Sequence, residues 1–266
     1  MIDSSEDQAA GLRRLFRRAP PTVVAMYVTG HSRAGVAVQT AYRIAGQSER
    51  VLLLDEAAGD SALSRILDLP DGPDLLGVLG GQVRAVDLIQ TVPGLIGRVP
   101  IRAAALALPL LDEERRAHLV NTLRSLYRYA AFVLIHASGD TADDPSPFIF
   151  AAPRRLVIAQ ASRSGATDAY QIIKRLAAAG AGSIHVAISR ARNREDAAAF
   201  FASLDKLVQR HVGIPLAWLG EVERDDLARG LGCEAAQSSP RESEAAFLRR
   251  LSALGRGAFS PRAAGA

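Results

Sequence analysis

Lysine is almost missing from this chain. Of its 32 basic residues only Lys174 and Lys206 are lysines; all the others are arginines. Neither lysine follows a glycine turn, so no ammonium group is available to a phosphate-binding loop, and the planar fork of arginine does not reproduce that compact charge. Both read as solvated faces of helices. Cysteine is scarcer still. The single Cys233 excludes an internal disulfide framework and any cysteine-cluster metal site, and it reads as a small residue of a C-terminal loop. No apolar run reaches bilayer-spanning length, and residues 3–7 are polar and acidic where a signal peptide would carry positive charge and then an apolar stretch. A soluble, cytoplasmic protein is therefore expected.

What the chain does have is apolar content. At 48% of 266 residues it suffices for the core of one α/β domain with tails. The net charge of +4 is mildly basic, but the arginines are dispersed, with no helix-turn-helix and no basic–aromatic stripe. Direct nucleic-acid binding is not expected.

Apolar strand candidates at 22–29, 50–55, 95–99, 103–109, 131–136, 155–160, 183–189 and 215–220 alternate with helix candidates at 35–46, 60–67, 112–128, 166–179 and 193–210. Continuous apolar strands alternating with helices predict a mostly parallel sheet covered on both faces, with ligands beyond the carboxyl ends of the strands. Ahead of this domain (21–232), residues 5–18 read as a short arginine-rich helix, and Pro20 and Pro21 form a hinge, giving an N-terminal unit of 1–20. Behind it, residues 233–266 read as a linker, a helix at 241–254 with Phe247, Leu251 and Leu254 on one face, and a tail. No internal repeat is visible.

The most informative stretch is the first strand and turn. Val23-Val24-Ala25-Met26-Tyr27-Val28-Thr29 leads into Gly30-His31-Ser32-Arg33-Ala34-Gly35-Val36-Ala37 and then a helical run. A working phosphate loop places a lysine and then a Ser/Thr right after its last glycine, for the phosphates and for Mg²⁺. Val36 and Ala37 stand there. The stretch Gly30-His31-Ser32-Arg33-Ala34 also has the look of a nucleophile elbow, with Ser32 as nucleophile. That reading fails on order. Only one helix and one strand precede Ser32, and none of His118, His136, His185 and His211 falls late in the chain.

The stretch resembles the loop of the MinD/ParA group of deviant phosphate-loop ATPases, aligning with that group's Gly-Lys-Gly-Gly-Val-Gly-Lys-Thr. The resemblance continues in Leu52-Leu53-Leu54-Asp55-Glu56-Ala57-Ala58-Gly59, where the group has Asp-x-Asp and a glycine. It continues again in Phe132-Val133-Leu134-Ile135-His136, where it has a strand ending in aspartate, and at Ser189, where it has a base-contacting asparagine. It implies a phosphate-loop NTPase fold, with ATP and Mg²⁺ as the family's cofactors. The positions that would carry the chemistry are changed: His31, Val36, Ala37, Ala57 and His136 replace the signature lysine, the loop lysine, the magnesium hydroxyl and two aspartates, with Gly30, Gly35 and Asp55 kept. Phosphoryl transfer rests on positioning and charge neutralisation. The expectation is a degenerate nucleotide site, no catalytic residues of its own and no bound cofactor or metal. Two alternatives stay open. One is an ATPase in which an arginine such as Arg33 replaces lysine. The other is a pairing of His31 with His136 across the old pocket as a metal or pH-sensitive site.

Within that group the chain is most similar to the flagellar number and placement regulators, the FlhG (FleN) family. Asp7-Gln8-Ala9-Ala10-Gly11-Leu12-Arg13 matches their N-terminal Asp-Gln-Ala-x-x-Leu-Arg motif. Thr167-Asp168-Ala169-Tyr170 and Trp218-Leu219-Gly220 resemble their back half. The resemblance implies that the N-terminal helix docks on FlhF, a GTPase of the signal-recognition-particle type, and stimulates its hydrolysis. Gln8 would position the attacking water, and Asp7 and Arg13 would fix the docking. Leu12 with Leu15 or Phe16 would anchor it in a groove. The plain alternative is an arginine-rich surface helix. The resemblance also implies an amphipathic C-terminal helix, here 242–254 with Arg249 and Arg250, for weak membrane association at the inner membrane or cell pole. Further partners it suggests are basal-body components or a transcriptional regulator of flagellar genes, which gives an adaptor as the third reading.

Overall fold

The computed structural model describes residues 21–47, 49–81, 83–137, 145–181, 183–233 and 240–254. The N-terminal helix candidate and all of Asp7, Gln8, Ala9, Leu12 and Arg13 lie outside the described residues.

Seven strands form one sheet: β1 (Thr22–Val28), β2 (Val51–Asp55), β3 (Gly97–Pro100), β4 (Phe132–His136), β5 (Arg154–Gln160), β6 (His185–Ser189) and β7 (Ala217–Glu221). Their order is β3-β2-β4-β1-β5-β6-β7, and every pairing between neighbours is parallel. The helices are α1 (Arg33–Ala45), α2 (Leu63–Ile66), α3 (Arg102–Ala107), α4 (Glu113–Leu126), α5 (Pro147–Ala151), α6 (Arg163–Ala178), α7 (Arg194–His211), α8 (Leu227–Cys233) and α9 (Pro240–Ala253).

Both faces of the sheet are covered, which is why its strands are apolar throughout rather than alternating. Successive residues of β1 go to opposite cores, with Val23 and Ala25 in the larger cluster and Val24, Met26 and Val28 in the smaller. The smaller core is closed by α1, by Leu63 of α2 and by Leu227 and Leu231 of α8. The larger is closed by buried residues of α3 to α7 and α9.

Two sequence expectations are corrected. Residues 103–109 are not a strand. They form α3 followed by a 3-10 turn at Leu108–Leu110. Ala103-Ala104-Ala105 is strongly helix-favouring and carries no β-branched residue. The buried positions Ala104, Ala105 and Leu108 follow helical spacing, leaving Leu106 and Leu110 exposed. The helix start is also held from outside, since the Asp74 carboxylate accepts from the backbone N–H groups of Ala103 and Ala104, both at 2.9 Å.

The second correction concerns the C-terminal helix. α9 is not a free amphipathic tail. Phe247, Leu248, Leu251 and Leu254 are buried in the larger core, and the helix packs on β1, α4 and α5. Burying such side chains contributes roughly 1.5–3 kcal/mol each, so α9 is part of the domain, and its apolar stripe is covered by protein.

Candidate functional site

The strand–turn–helix that marks a phosphate loop is present. β1 ends at Val28, Gly30 turns the chain at φ +77°, Ser32 sits at φ +57° as the cap residue, and α1 starts at Arg33. Gly30 is required twice over. Its φ disfavours any side chain, and a Cβ there would lie 2.1 Å from Gln160 Oε1. Gly35 lies in the first turn of α1, where a Cβ would meet nothing within 4 Å. Val36 and Ala37, at the positions of the lysine and the hydroxyl, are core residues of the smaller cluster, 4% and 0% exposed.

The turn's polar groups face protein partners. The backbone N–H of His31 donates to Gln160 Oε1 at 2.9 Å, and that of Gly30 to Asp168 Oδ2 at 3.4 Å. Arg33 Nε donates to the Gly30 carbonyl at 3.2 Å, and its guanidinium lies 3.7 Å from Asp168 Oδ2. Thr29 Oγ1 accepts from the Gln160 backbone N–H at 3.1 Å and donates to the Gly165 carbonyl at 3.2 Å. The end of β5 and the first turns of α6 therefore clasp the turn, with a carboxylate placed against an amide of the kind that would otherwise face a phosphate. The cleft between Thr29, Arg33, Asp168 and Arg175 has a volume of about 100 Å³, well below the roughly 300–1,000 Å³ of ordinary ligand pockets.

The acidic end of the sheet is closed as well. Asp55 ends β2, and the register sets it beside His136 of β4. Asp55 Oδ1 accepts from His136 Nδ1 at 3.1 Å and from the Ala57 N–H at 3.2 Å. Its Oδ2 accepts from Arg98 Nε at 2.7 Å and the Leu63 N–H at 2.9 Å. Arg98, on β3, also donates to Gln90 Oε1 at 2.6 Å. Burial pushes the Asp55 carboxyl up, but the hydrogen bond and charge of His136, and then Arg98, outweigh it and hold it below its ordinary value. Asp55 is then ionised and can only accept, so Nδ1 of His136 carries the proton. Four donors occupy this carboxylate, which leaves it no room to hold a metal-bound water.

The structure does not join the two histidines. His136 is buried and engaged with Asp55, whereas His31 is exposed on the turn. Among the described residues no cluster of three His, Cys, Asp or Glu side chains could hold a metal. Ser189, at the base-contacting position, is fully buried beside Gln160 on the neighbouring strand, and its Oγ makes no hydrogen bond among the described residues. Ala57 is buried without a polar group to offer.

Sequence reasoning missed four participants. Gln160 and Asp168 clasp the turn from more than 125 residues away, and no local pattern reports that. Arg98 had a signal, because an arginine inside a buried strand needs a carboxylate partner. Glu56 is the fourth. It is buried, it accepts from Ser146 Oγ at 2.6 Å, and its carboxyl is pushed up to about 7 by burial, opposed by Ser146 and Arg102 and reinforced by Asp55.

An all-parallel seven-stranded sheet with a glycine turn between β1 and α1 defines the class as the phosphate-loop fold of ParA proteins. A ParA family ATPase from Chlorobium tepidum shares it, with a TM-score of 0.51 at 13% identity over 88% of this chain and 98% of that one; at that identity the likeness is one of fold. The chain resembles one particular relative in sequence, the antiactivator FleN of Pseudomonas aeruginosa. The two are 24% identical over 201 residues, 75% of this chain and 72% of the relative. No family model matches the chain. Among the described residues no helix is long and apolar enough to cross a membrane.

Proposed function

We propose that this chain is a regulator of flagellar number and placement whose α/β domain has lost ATP hydrolysis and serves as a scaffold, acting in the cytoplasm on an FlhF-type GTPase through its N-terminal motif. The likeness to FleN supplies the flagellar context. The observation that carries the loss of hydrolysis is the clasp of Gln160 and Asp168 on the turn at 30–31. A phosphate entering there would meet the Asp168 carboxylate, with no lysine to offset it. Arg33, the candidate substitute for lysine, is turned onto Asp168 and Gly30. The saturated carboxylate of Asp55 argues the same way. ATP and Mg²⁺ do not fit these residues.

The activating role rests on the motif Asp7-Gln8-Ala9 with Leu12 and Arg13. In the family's manner Gln8 would orient the attacking water of the partner GTPase. GTP hydrolysis by the cognate FlhF, with and without this protein, tests it. Wild type stimulates and Gln8→Ala does not; equal rates with and without wild type sink the proposal.

A second reading is favoured by the relative's name, antiactivator. The domain would hold a transcriptional activator of flagellar genes as an adaptor. Co-purification of such an activator with the wild type and with Gln8→Ala alike, alongside absent GTPase stimulation, selects it. With its apolar stripe buried in the domain, packed α9 has no apolar face to offer a membrane.

A further inference from the structure

A cavity of about 450 Å³ opens between α4 and α9, lined by Glu113, Arg116, Arg124, Leu248 and Arg249. It shares no residue with the turn at 30–37 or with the Asp55 cluster. Arg116, Arg124 and Arg249 line it together with one carboxylate residue, Glu113. Arg116 is the buried one, 5% exposed, and one of its terminal nitrogens donates to the Leu111 carbonyl. Its Nε is buried with no hydrogen-bond partner among the described residues. Arg124 and Arg249 are exposed, one from each helix, and Arg124 is steadied by Asn121 Oδ1 at 3.2 Å. Leu248 and Ala117 add an apolar wall.

Arg116 contributes buried positive charge to the wall, beside the exposed guanidinium groups of Arg124 and Arg249. The planar forks of arginines lining one cavity match the oxygens of a phosphate better than any neutral group. The volume is that of a small-molecule site, and the apolar wall suits a ring beside the charge. We infer that this cavity binds a phosphate-bearing small molecule of about mononucleotide size, at a place unrelated to the phosphate loop of the fold.

Calorimetric titration of the full chain at low ionic strength tests this, with GMP and pyrophosphate as probes and guanosine as the uncharged control. Variants Arg124→Ala and Arg249→Ala change exposed residues, and a melting curve verifies that each still folds. GMP is expected to bind, each variant to weaken it by about tenfold or more, guanosine not to bind, and Arg33→Ala at the loop to leave affinity unchanged. Three results overturn the inference: no binding of GMP by wild type up to about 5 mM, affinity unaltered in both arginine variants, or guanosine binding as tightly as GMP.

Discussion

Gln160 Oε1 accepts the backbone N–H of His31 at 2.9 Å, joining the turn after β1 to the end of β5 across 129 residues of chain. In a phosphate loop such an amide is an anion donor. Here it is a structural contact, and its loss is a stability question. Gln160→Ala should lower unfolding free energy by about 1 kcal/mol or less, because the amide is exposed and water can replace the carboxamide. Urea denaturation checks it, and a loss of several kcal/mol would mean that Gln160 does more than satisfy this turn.

The Asp55–Arg98–His136 cluster should be far more sensitive. All three side chains are nearly inaccessible. Removing one partner leaves a buried charge uncompensated, which costs about 3–5 kcal/mol. Arg98→Met is the informative variant, since it keeps apolar volume and strips only the charge. The depressed Asp55 carboxyl also sets an acid limit. Its contribution is complete above the unfolded aspartate value of about 3.9 and vanishes as pH falls through the still lower folded value. The wild type should lose stability steeply in that acid window and Asp55→Asn much less so, by denaturant titration at a series of pH values.

Glu56 predicts a slope of the opposite sign. Its folded value is pushed from 4.5 to about 7, so the folded chain holds a proton that the unfolded chain releases. Stability is then greatest below the unfolded value and declines as pH rises from about 4.5 to about 7, by on the order of 3 kcal/mol in total. In Glu56→Gln this decline should disappear, with the Ser146 contact keeping an oxygen acceptor. A variant that retains the full slope would assign it to another group.

Much of the sheet was readable because its seven strands are short apolar runs bounded by helices, a pattern that depends only on burial of both faces. Residues 103–109 were misread for the same reason. Ala and Leu runs are apolar in strands and helices alike, and the Asp74 carboxylate that starts α3 comes from a separate segment. The site was half legible. The turn, and the missing lysine and hydroxyl, stand in the sequence at Val36 and Ala37. The partner of His136 does not, because it depends on β4 lying between β1 and β2, an order that sequence neighbours do not reveal. Gln160 reads as an ordinary strand end, and Asp168 stands out only as part of the Thr167-Asp168-Ala169-Tyr170 motif; that both reach the turn appears only in the fold.

The place of α9 in the core makes a clear prediction about truncation. Leu251→Ala should cost about 2–5 kcal/mol, as for other fully buried leucines. A chain ending at 239 exposes the surface that Phe247, Leu248, Leu251 and Leu254 cover. It should aggregate or unfold at lower temperature than the full chain. The intact protein should not float with anionic vesicles. Flotation with α9 still packed, judged by an unchanged melting temperature, would require another membrane-binding segment.

Placing the lysine and hydroxyl of a working phosphate loop back in this turn offers the strictest test of the proposed loss of hydrolysis. Val36→Lys with Ala37→Thr recreates the expected lysine and hydroxyl, yet both positions lie in the smaller core, with Val24, Met26 and Leu53 around them. A lysine introduced there leaves water for an apolar setting, and roughly 2 kcal/mol or more of stability should be lost. The restored side chains still face a turn held by Gln160 and Asp168 and an Asp55 held by Arg98 and His136. The double variant should therefore bind ATP·Mg²⁺ no tighter than about 100 μM and hydrolyse none. Adding Asp168→Ala removes the opposing carboxylate and Gln160→Ala frees the His31 amide, so any recovery of binding should appear first in the quadruple variant. Tight binding by the unaltered chain would instead mean that the clasp opens, and that the domain is an ATPase using arginine for charge.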